Sequence, residues 1–185
     1  MKNTLVISAF PCCGKTYACK KLQAEGYTVW DSESSQFSWI TKKTAYVDVL
    51  TVKDKTEKVK NPDFPKNYIK HIQEGIGKVD IIFVSSHQVV RDALNEAGIK
   101  YILVYPREDM LTEWIGRAYI RGSGDDFCNM LIKNWDNWIS LIKWEINDVT
   151  KPNKSCFLSC QLSYDTYLNL YSYCKRFLIP TYFKE

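Results

Sequence analysis

The chain has 185 residues, of which 45% are apolar and 25% charged, with seven cysteines and a formal net charge of +4. These values predict one globular domain with a sizeable core, and the mild charge supports no nucleic-acid partner by itself. No stretch approaches about twenty consecutive apolar residues, so we expect no membrane span and no membrane partner. The odd number of scattered cysteines indicates reduced thiols in the cytoplasm rather than a disulfide framework.

The first predicted strand, Thr4–Ala9, starts so early in the chain that we expect no signal or transit peptide. After it comes a run that matches the pattern G-x-x-x-x-G-K-[ST] except for an alanine in place of the first glycine: Ala9-Phe10-Pro11-Cys12-Cys13-Gly14-Lys15-Thr16. A helix is predicted from Tyr17 to about Glu25. A strand, a loop of this pattern and a helix are typical of a phosphate-binding loop, the Walker A motif.

This loop predicts a nucleoside triphosphate site. Its backbone N–H groups would bind phosphate oxygens, Lys15 would neutralise the β- and γ-phosphates, and the Thr16 hydroxyl would ligate Mg²⁺. Ala9 suits the loop as long as its φ angle is negative. A thiol pKa can fall near a helix N-terminus, so Cys12 and Cys13 could be redox-active, but small side chains that fill the loop are the favoured interpretation. The expected ATP contacts in the loop are Phe10, Pro11, Cys12, Cys13, Gly14, Lys15 and Thr16.

The rest of the chain alternates between strands and helices, which predicts a parallel sheet covered by helices on both faces. A second strand, Tyr27–Trp30, ends at Asp31, and residues 36–62 are interpreted as a small hairpin or a mobile flap. The later predicted strands are Asp80–Val84, Tyr101–Tyr105 and Ser155–Cys160. The later predicted helices are Pro65–Gly75, His87–Ala97, Glu108–Ile120, Asp125–Glu145 and Ser163–Phe177.

The long helix Asp125–Glu145 carries apolar residues at helical spacing. They are Leu131, Trp135, Trp138 and Ile142. A stripe of this kind is more typical of a core face than of an aromatic platform for nucleic acid, so we predict that all four are buried.

Three segments resemble those of a small P-loop kinase of the nucleoside-monophosphate-kinase lineage, which includes shikimate-kinase-like enzymes and phage-type deoxynucleotide and polynucleotide kinases. They are Ala9–Thr16, Asp31–Ser35 and the arginines that follow Tyr101–Tyr105. The resemblance implies a single domain over residues 1–185 with a three-layer α/β P-loop fold and a five-stranded parallel sheet in the order 2-3-1-4-5. It also implies a small lid at about 115–126, a cytoplasmic protein, ATP as phosphoryl donor and Mg²⁺ as cofactor.

The resemblance also implies an acceptor site around Asp31, which would be a general base for an acceptor hydroxyl or a partner of the Mg²⁺ held by Thr16. A turn residue that caps the next segment is the alternative. The expected acceptor contacts are Asp31, Glu33, Ser34, Ser85, Ser86 and Arg91. Two of these have equally simple structural explanations, since Ser85 could form a capping box with Gln88 and Arg91 is typical of a surface ion pair.

Arg117 and Arg121 lie one helical turn apart, directly before the glycines Gly122 and Gly124. In the family, such a pair closes a lid over the triphosphate and stabilises the charge that develops on the transferred phosphoryl group. The alternative is a solvated helix face beside a flexible loop. No carboxylate ends the strand Asp80–Val84, so a Walker-B acid is missing, which favours a kinase over a motor-type ATPase.

These observations predict a Mg·ATP-dependent transferase of nucleotide metabolism, with a nucleoside or deoxynucleoside monophosphate as acceptor. Asp31–Ile40 lacks the arginine that would bind an acceptor phosphate, so Lys42, Lys43 or Arg91 would have to replace it. A kinase of a hydroxyl on nucleic acid or on a modified base is the alternative, which Asp31-Ser32-Glu33 favours. A non-catalytic nucleotide-binding module is a third interpretation, because the first loop glycine is missing. The sequence leaves the base and sugar preference and the oligomeric state open.

Overall fold

A computed structural model of the chain describes residues 3–48, 51–148 and 155–183, with side chains described outside 43–56. Its centre is a parallel sheet of five strands. The strands are β1 (Leu5–Ala9), β2 (Val29–Asp31), β5 (Ile81–Ser85), β6 (Tyr101–Pro106) and β7 (Cys156–Leu162). Of these, β1, β5 and β6 are buried along their whole length, while β2 and β7 are partly exposed.

The sheet has the order β2-β5-β1-β6-β7. These labels differ from the predicted 2-3-1-4-5 because two hairpin strands come between β2 and β5 along the chain. The hairpin strands are β3 (Trp39–Asp48) and β4 (Thr51–Lys60), which pair antiparallel in a separate sheet. Numbered among themselves along the chain, the five parallel strands lie in the order 2-3-1-4-5. A hairpin therefore occupies the segment that was predicted to be a hairpin or flap.

Helices fill most of the connections between strands. The longer ones are α1 (Lys15–Ala24), α3 (Lys66–Gly75), α4 (Gln88–Glu96), α5 (Leu111–Ile120) and α6 (Asp125–Asn147), and a short helix α2 covers Ser35–Ser38. A 3₁₀ turn, Glu108–Met110, precedes α5. All of the longer helices begin and end within a few residues of the predicted bounds. No helix in the described parts of the chain combines the length and the apolar character that a bilayer crossing requires.

The predicted final helix, Ser163–Phe177, is wrong in its first half. Residues 163–169 form turns and bends, and the helix α7 (Leu170–Tyr173) starts only after Asn169. The Asn169 side chain accepts a hydrogen bond from the Ser172 N–H, and the Ser172 hydroxyl lies within reach of the Asn169 N–H. This capping box fixes the start of the helix. A π-helical turn, Cys174–Leu178, and α8 (Ile179–Tyr182) complete the chain.

Candidate active site

The predicted phosphate-binding loop connects β1 to α1 at the carboxyl edge of the sheet. Two distant elements hold it. The indole N–H of Trp114 on α5 donates to the Pro11 carbonyl over 2.8 Å. The Leu170 N–H at the start of α7 donates to the Cys13 carbonyl over 3.0 Å. Trp114 precedes the predicted lid in the sequence and Leu170 follows it, so elements on both sides of the lid hold the loop.

Two loop residues have left-handed backbone conformations. Gly14 has φ 88° and Cys12 has φ 63°. Cys12 is the only non-glycine residue with a positive φ in the described ranges, so the negative φ that Ala9 requires is confirmed. Successive N–H groups in such conformations form a concave anion-binding surface. No side chain among the described residues caps the N-terminus of α1, so the N–H groups of its first turn remain open to a ligand.

The two polar side chains of the motif have distinct partners. The Lys15 ammonium lies 3.4 Å from the Ala9 carbonyl oxygen, back along its own loop. The Thr16 hydroxyl donates to Asp31 Oδ2 over 2.6 Å. The other carboxylate oxygen, Asp31 Oδ1, is buried and has no hydrogen-bond partner among the described residues. The acid at the end of β2 thus contacts the loop through Thr16.

A cleft of about 530 Å³ opens beside the loop. It is lined by Cys12, Cys13, Gly14, Lys15, Thr16, Tyr17, Glu33, Arg117, Ile120, Arg121, Leu168 and Asn169. Three cationic side chains and one carboxylate thus face a single space, a balance that suits a polyphosphate. We refer to this space as the loop cleft.

Both predicted lid arginines line the loop cleft, but they differ in the hydrogen bonds that they already make. Arg117 donates to Glu113 over 2.9 Å and to the Leu168 carbonyl over 2.7 Å, and its guanidinium lies over the Trp114 ring. Arg121 donates through Nε to Ser123 over 2.8 Å, its guanidinium lies over the Phe127 ring, and its two terminal nitrogens have no hydrogen-bond partner among the described residues. Arg121 is therefore the arginine whose charge is more available to a ligand.

Ser85, Ser86 and Arg91, predicted as acceptor contacts, do not line the loop cleft. Arg91 is only 3% exposed, so its predicted surface position is wrong. Its Nε donates to Glu145 on α6 over 2.7 Å, and its other nitrogens bind the Ser86 carbonyl and the Gln88 side chain. The alternative capping box of Ser85 with Gln88 does not form, because no side chain in the described part of the chain caps α4. Ser34 is buried at the start of α2.

A second cleft of about 420 Å³ adjoins the same loop. It is lined by Phe10, Pro11, Ser86, His87, Gln88, Val89, Arg91, Phe127, Met130, Asn137, Trp138, Leu141 and Ile142. Trp138 is half-buried and faces this cleft, so the prediction that it belongs entirely to the core is wrong, whereas Trp135 and Ile142 are buried as predicted. We refer to this space as the α6 cleft.

The two loop thiols are in the neutral form at physiological pH. Burial raises the pKa of Cys13 to about 12. Burial also raises the pKa of Cys12, although Arg121, Lys15 and Arg117 act in the opposite direction. Neutral thiols are poor nucleophiles, which favours the interpretation of both cysteines as small loop residues.

Several residues of the loop cleft were missed in the sequence: Tyr17, Ile120, Leu168 and Asn169. The predicted final helix includes Leu168 and Asn169, whereas both precede α7 in the structure. The spacing Asn169-x-x-Ser172 could have revealed them, since Asn is a preferred N-cap and marks a helix that starts later.

No group of three or more His, Cys, Asp or Glu side chains within the described residues could hold a metal ion. The chain matches no protein-family model, and no curated protein sequence matches it. Functional conclusions therefore depend on the geometry of the loop and its two clefts.

Proposed function

We propose that this protein is a Mg·ATP-dependent phosphotransferase of the P-loop kinase type, with the triphosphate of ATP in the loop cleft. The observation that carries the proposal is the convergence of four anion-binding features on that cleft: the left-handed loop, the uncapped N-terminus of α1, Lys15 and Arg121. Each is common alone, but together they provide backbone donors and mobile positive charge for one polyphosphate.

Thr16 and Asp31 fit a Mg²⁺ ion held mainly by phosphates and water. Because the Thr16 hydroxyl donates its hydrogen bond to Asp31, the lone pairs of its oxygen are available to a cation. Mg²⁺ keeps several waters and binds few protein ligands in kinase sites, so a full protein cage is not required. The buried, unpartnered Asp31 Oδ1 adds negative charge beside the hydroxyl. Asp31 thus serves better as a partner of the metal ligand than as a base, since a base must reach the acceptor proton.

A nucleoside monophosphate is the favoured acceptor. Its phosphate is already anionic, so the reaction needs no general base, in agreement with the position of Asp31. A second candidate, a hydroxyl acceptor on nucleic acid or a modified base, is favoured by one observation. Glu33 is exposed in the loop cleft and could accept a hydroxyl proton there.

The experiment is a comparison of Lys15→Ala with Lys20→Ala, an exposed lysine on the outer part of α1. ATP binding is measured by calorimetry, and transfer from labelled ATP is measured against monophosphates, nucleosides and DNA ends. We expect Lys15→Ala to abolish transfer and Lys20→Ala to leave it unchanged, because the lost charge is one that water cannot replace in the site.

Normal turnover in Lys15→Ala would contradict the kinase proposal. ATP binding that depends on Lys15 but leads to transfer to none of these acceptors would replace it with a nucleotide-binding module.

A further inference from the structure

We propose that the α6 cleft binds the nucleobase of the acceptor, so that the acceptor is a free nucleotide rather than a nucleic-acid end. This inference rests on the proposed function. It identifies the substrate class by three properties of the cleft: its position against the loop, its aromatic walls and its uncommitted polar groups.

The cleft shares the loop with the triphosphate site. Phe10 and Pro11 line the α6 cleft, and the residues that directly follow them line the loop cleft. The Lys15 ammonium is also close enough to the His87 ring, in the α6 cleft, to contribute to lowering its pKa. A base in the α6 cleft would therefore place its own phosphate at the junction of the two clefts, beside the phosphoryl group to be transferred.

The walls suit a flat, uncharged ring. Trp138 and Phe127, both half-buried, provide the aromatic surface, and the buried Phe10 supports Trp138 edge to face with ring centroids 6.2 Å apart. Bases stack on aromatic side chains of this kind whatever their identity, because every base has a π-face. A volume of about 420 Å³ falls within the range of small-molecule sites.

The rim of the cleft is apolar where a surface would normally be polar. Val89, Met130 and Leu141 line it and are 45%, 43% and 41% exposed. Apolar side chains that gather around one opening, rather than being scattered singly, indicate a binding site.

The polar groups of the cleft favour a nucleobase over a phosphate as its ligand. The charge of Arg91 is compensated by Glu145, so the cleft offers no free cation of its own in the described structure. The Asn137 amide and the His87 ring line the cleft, and no described side chain hydrogen bonds to either. An amide presents a donor and an acceptor side by side, as the edge of a nucleobase does. Desolvation and Lys15 lower the pKa of His87, which keeps the ring neutral and suited to the same task.

The test uses Asn137→Ala and Asn137→Trp, with Asn129→Ala and Asn129→Trp as matched controls. Both asparagines are exposed on α6, but Asn129 does not line the α6 cleft. The KM for the five common nucleoside monophosphates, the KM for ATP, and transfer to ribose 5-phosphate and to DNA ends are measured. Thermal melts confirm that each variant is folded.

For the best acceptor, we expect Asn137→Ala to raise the acceptor KM about three- to tenfold, the effect of one lost hydrogen bond. Asn137→Trp fills the opening of the cleft and should raise the acceptor KM more than about tenfold. The KM for ATP and both Asn129 variants should stay within about twofold of wild type. Ribose 5-phosphate, which has no base, should be a poor acceptor.

Equal acceptor KM values in Asn137→Trp and Asn129→Trp, with normal ATP binding and transfer, would overturn this inference alone. Efficient phosphorylation of ribose 5-phosphate or of DNA ends in preference to free nucleotides would do the same. Failure of the wild-type protein to bind ATP would instead overturn the proposed function.

Discussion

The left-handed backbone of Cys12 leads to a stability prediction that does not depend on the function. A non-glycine residue in this conformation costs about 1–2 kcal/mol, and glycine is free of that cost. Glycine has more conformational freedom in the unfolded chain, which costs about 0.5–1 kcal/mol relative to alanine. The difference of the two midpoints should make Cys12→Gly more stable than Cys12→Ala by about 0.75 kcal/mol. The alanine variant is the reference because both substitutions remove the same thiol.

The matched comparison is Lys20→Gly against Lys20→Ala, at an exposed position inside α1. There the sign reverses, because glycine is about 0.8–1 kcal/mol worse than alanine in a helix interior. Urea unfolding gives the free energies, and thermal melts give a second measure, with about 2–4 °C per kcal/mol for a chain of this size.

If Cys12→Gly is no more stable than Cys12→Ala, the reasoning fails, since the loop would then lack the left-handed residue in solution. The same stability difference between glycine and alanine variants at Cys12 and at Lys20 would also refute the reasoning. A stabilised Cys12→Gly variant that keeps ATP binding would show that the loop geometry, not the thiol, forms the site.

Three further predictions concern the site directly. Asp31→Asn should raise the Mg²⁺ concentration needed for half-maximal transfer and cost less than about tenfold in kcat at saturating Mg²⁺; a loss of about 10²–10⁴ that persists there would identify a general base instead. Arg121→Ala should lower kcat at least about tenfold and weaken ATP affinity less. The loss of kcat should be larger than in Arg117→Ala, because Arg117 already binds Glu113 and the Leu168 carbonyl. Equal losses of kcat in the two variants would contradict this difference. Cys13, with a pKa raised to about 12, should resist thiol reagents at pH 8 in the folded protein and react only on unfolding or at strongly alkaline pH, which mass spectrometry of the labelled peptides would show; rapid labelling of the native thiol at pH 8 would refute its burial.

Much of the fold could be predicted because its signals are local. The strands β1, β5 and β6 are short apolar runs that only a buried parallel sheet accommodates, and helical periodicity marks the segments between them. The predicted final helix starts too early because Tyr164, Tyr167 and Leu168 have helical spacing within an otherwise polar segment. The capping signal at Asn169 was the better guide to its start.

The site was predicted less completely, because the hydrogen bonds and ion pairs of its side chains involve residues far away in the sequence. The spacing of Arg117 and Arg121 predicts that both reach one cleft, and they do. It does not reveal that the Leu168 carbonyl binds one of them. Arg91 similarly has the pattern of a surface residue, and only the packing of α4 against α6 brings Glu145 to it.

The contact between Leu170 and Cys13 has a consequence for how the protein forms during translation. The loop leaves the ribosome well before Leu170, whose amide binds the Cys13 carbonyl. Trp114, its other anchor, emerges midway. A nascent chain that has exposed β1 and α1 therefore has the motif without its final geometry, and ATP should not be retained until Leu170 has also emerged. Stalled nascent chains of increasing length should acquire nucleotide binding only after residue 170 has left the exit tunnel.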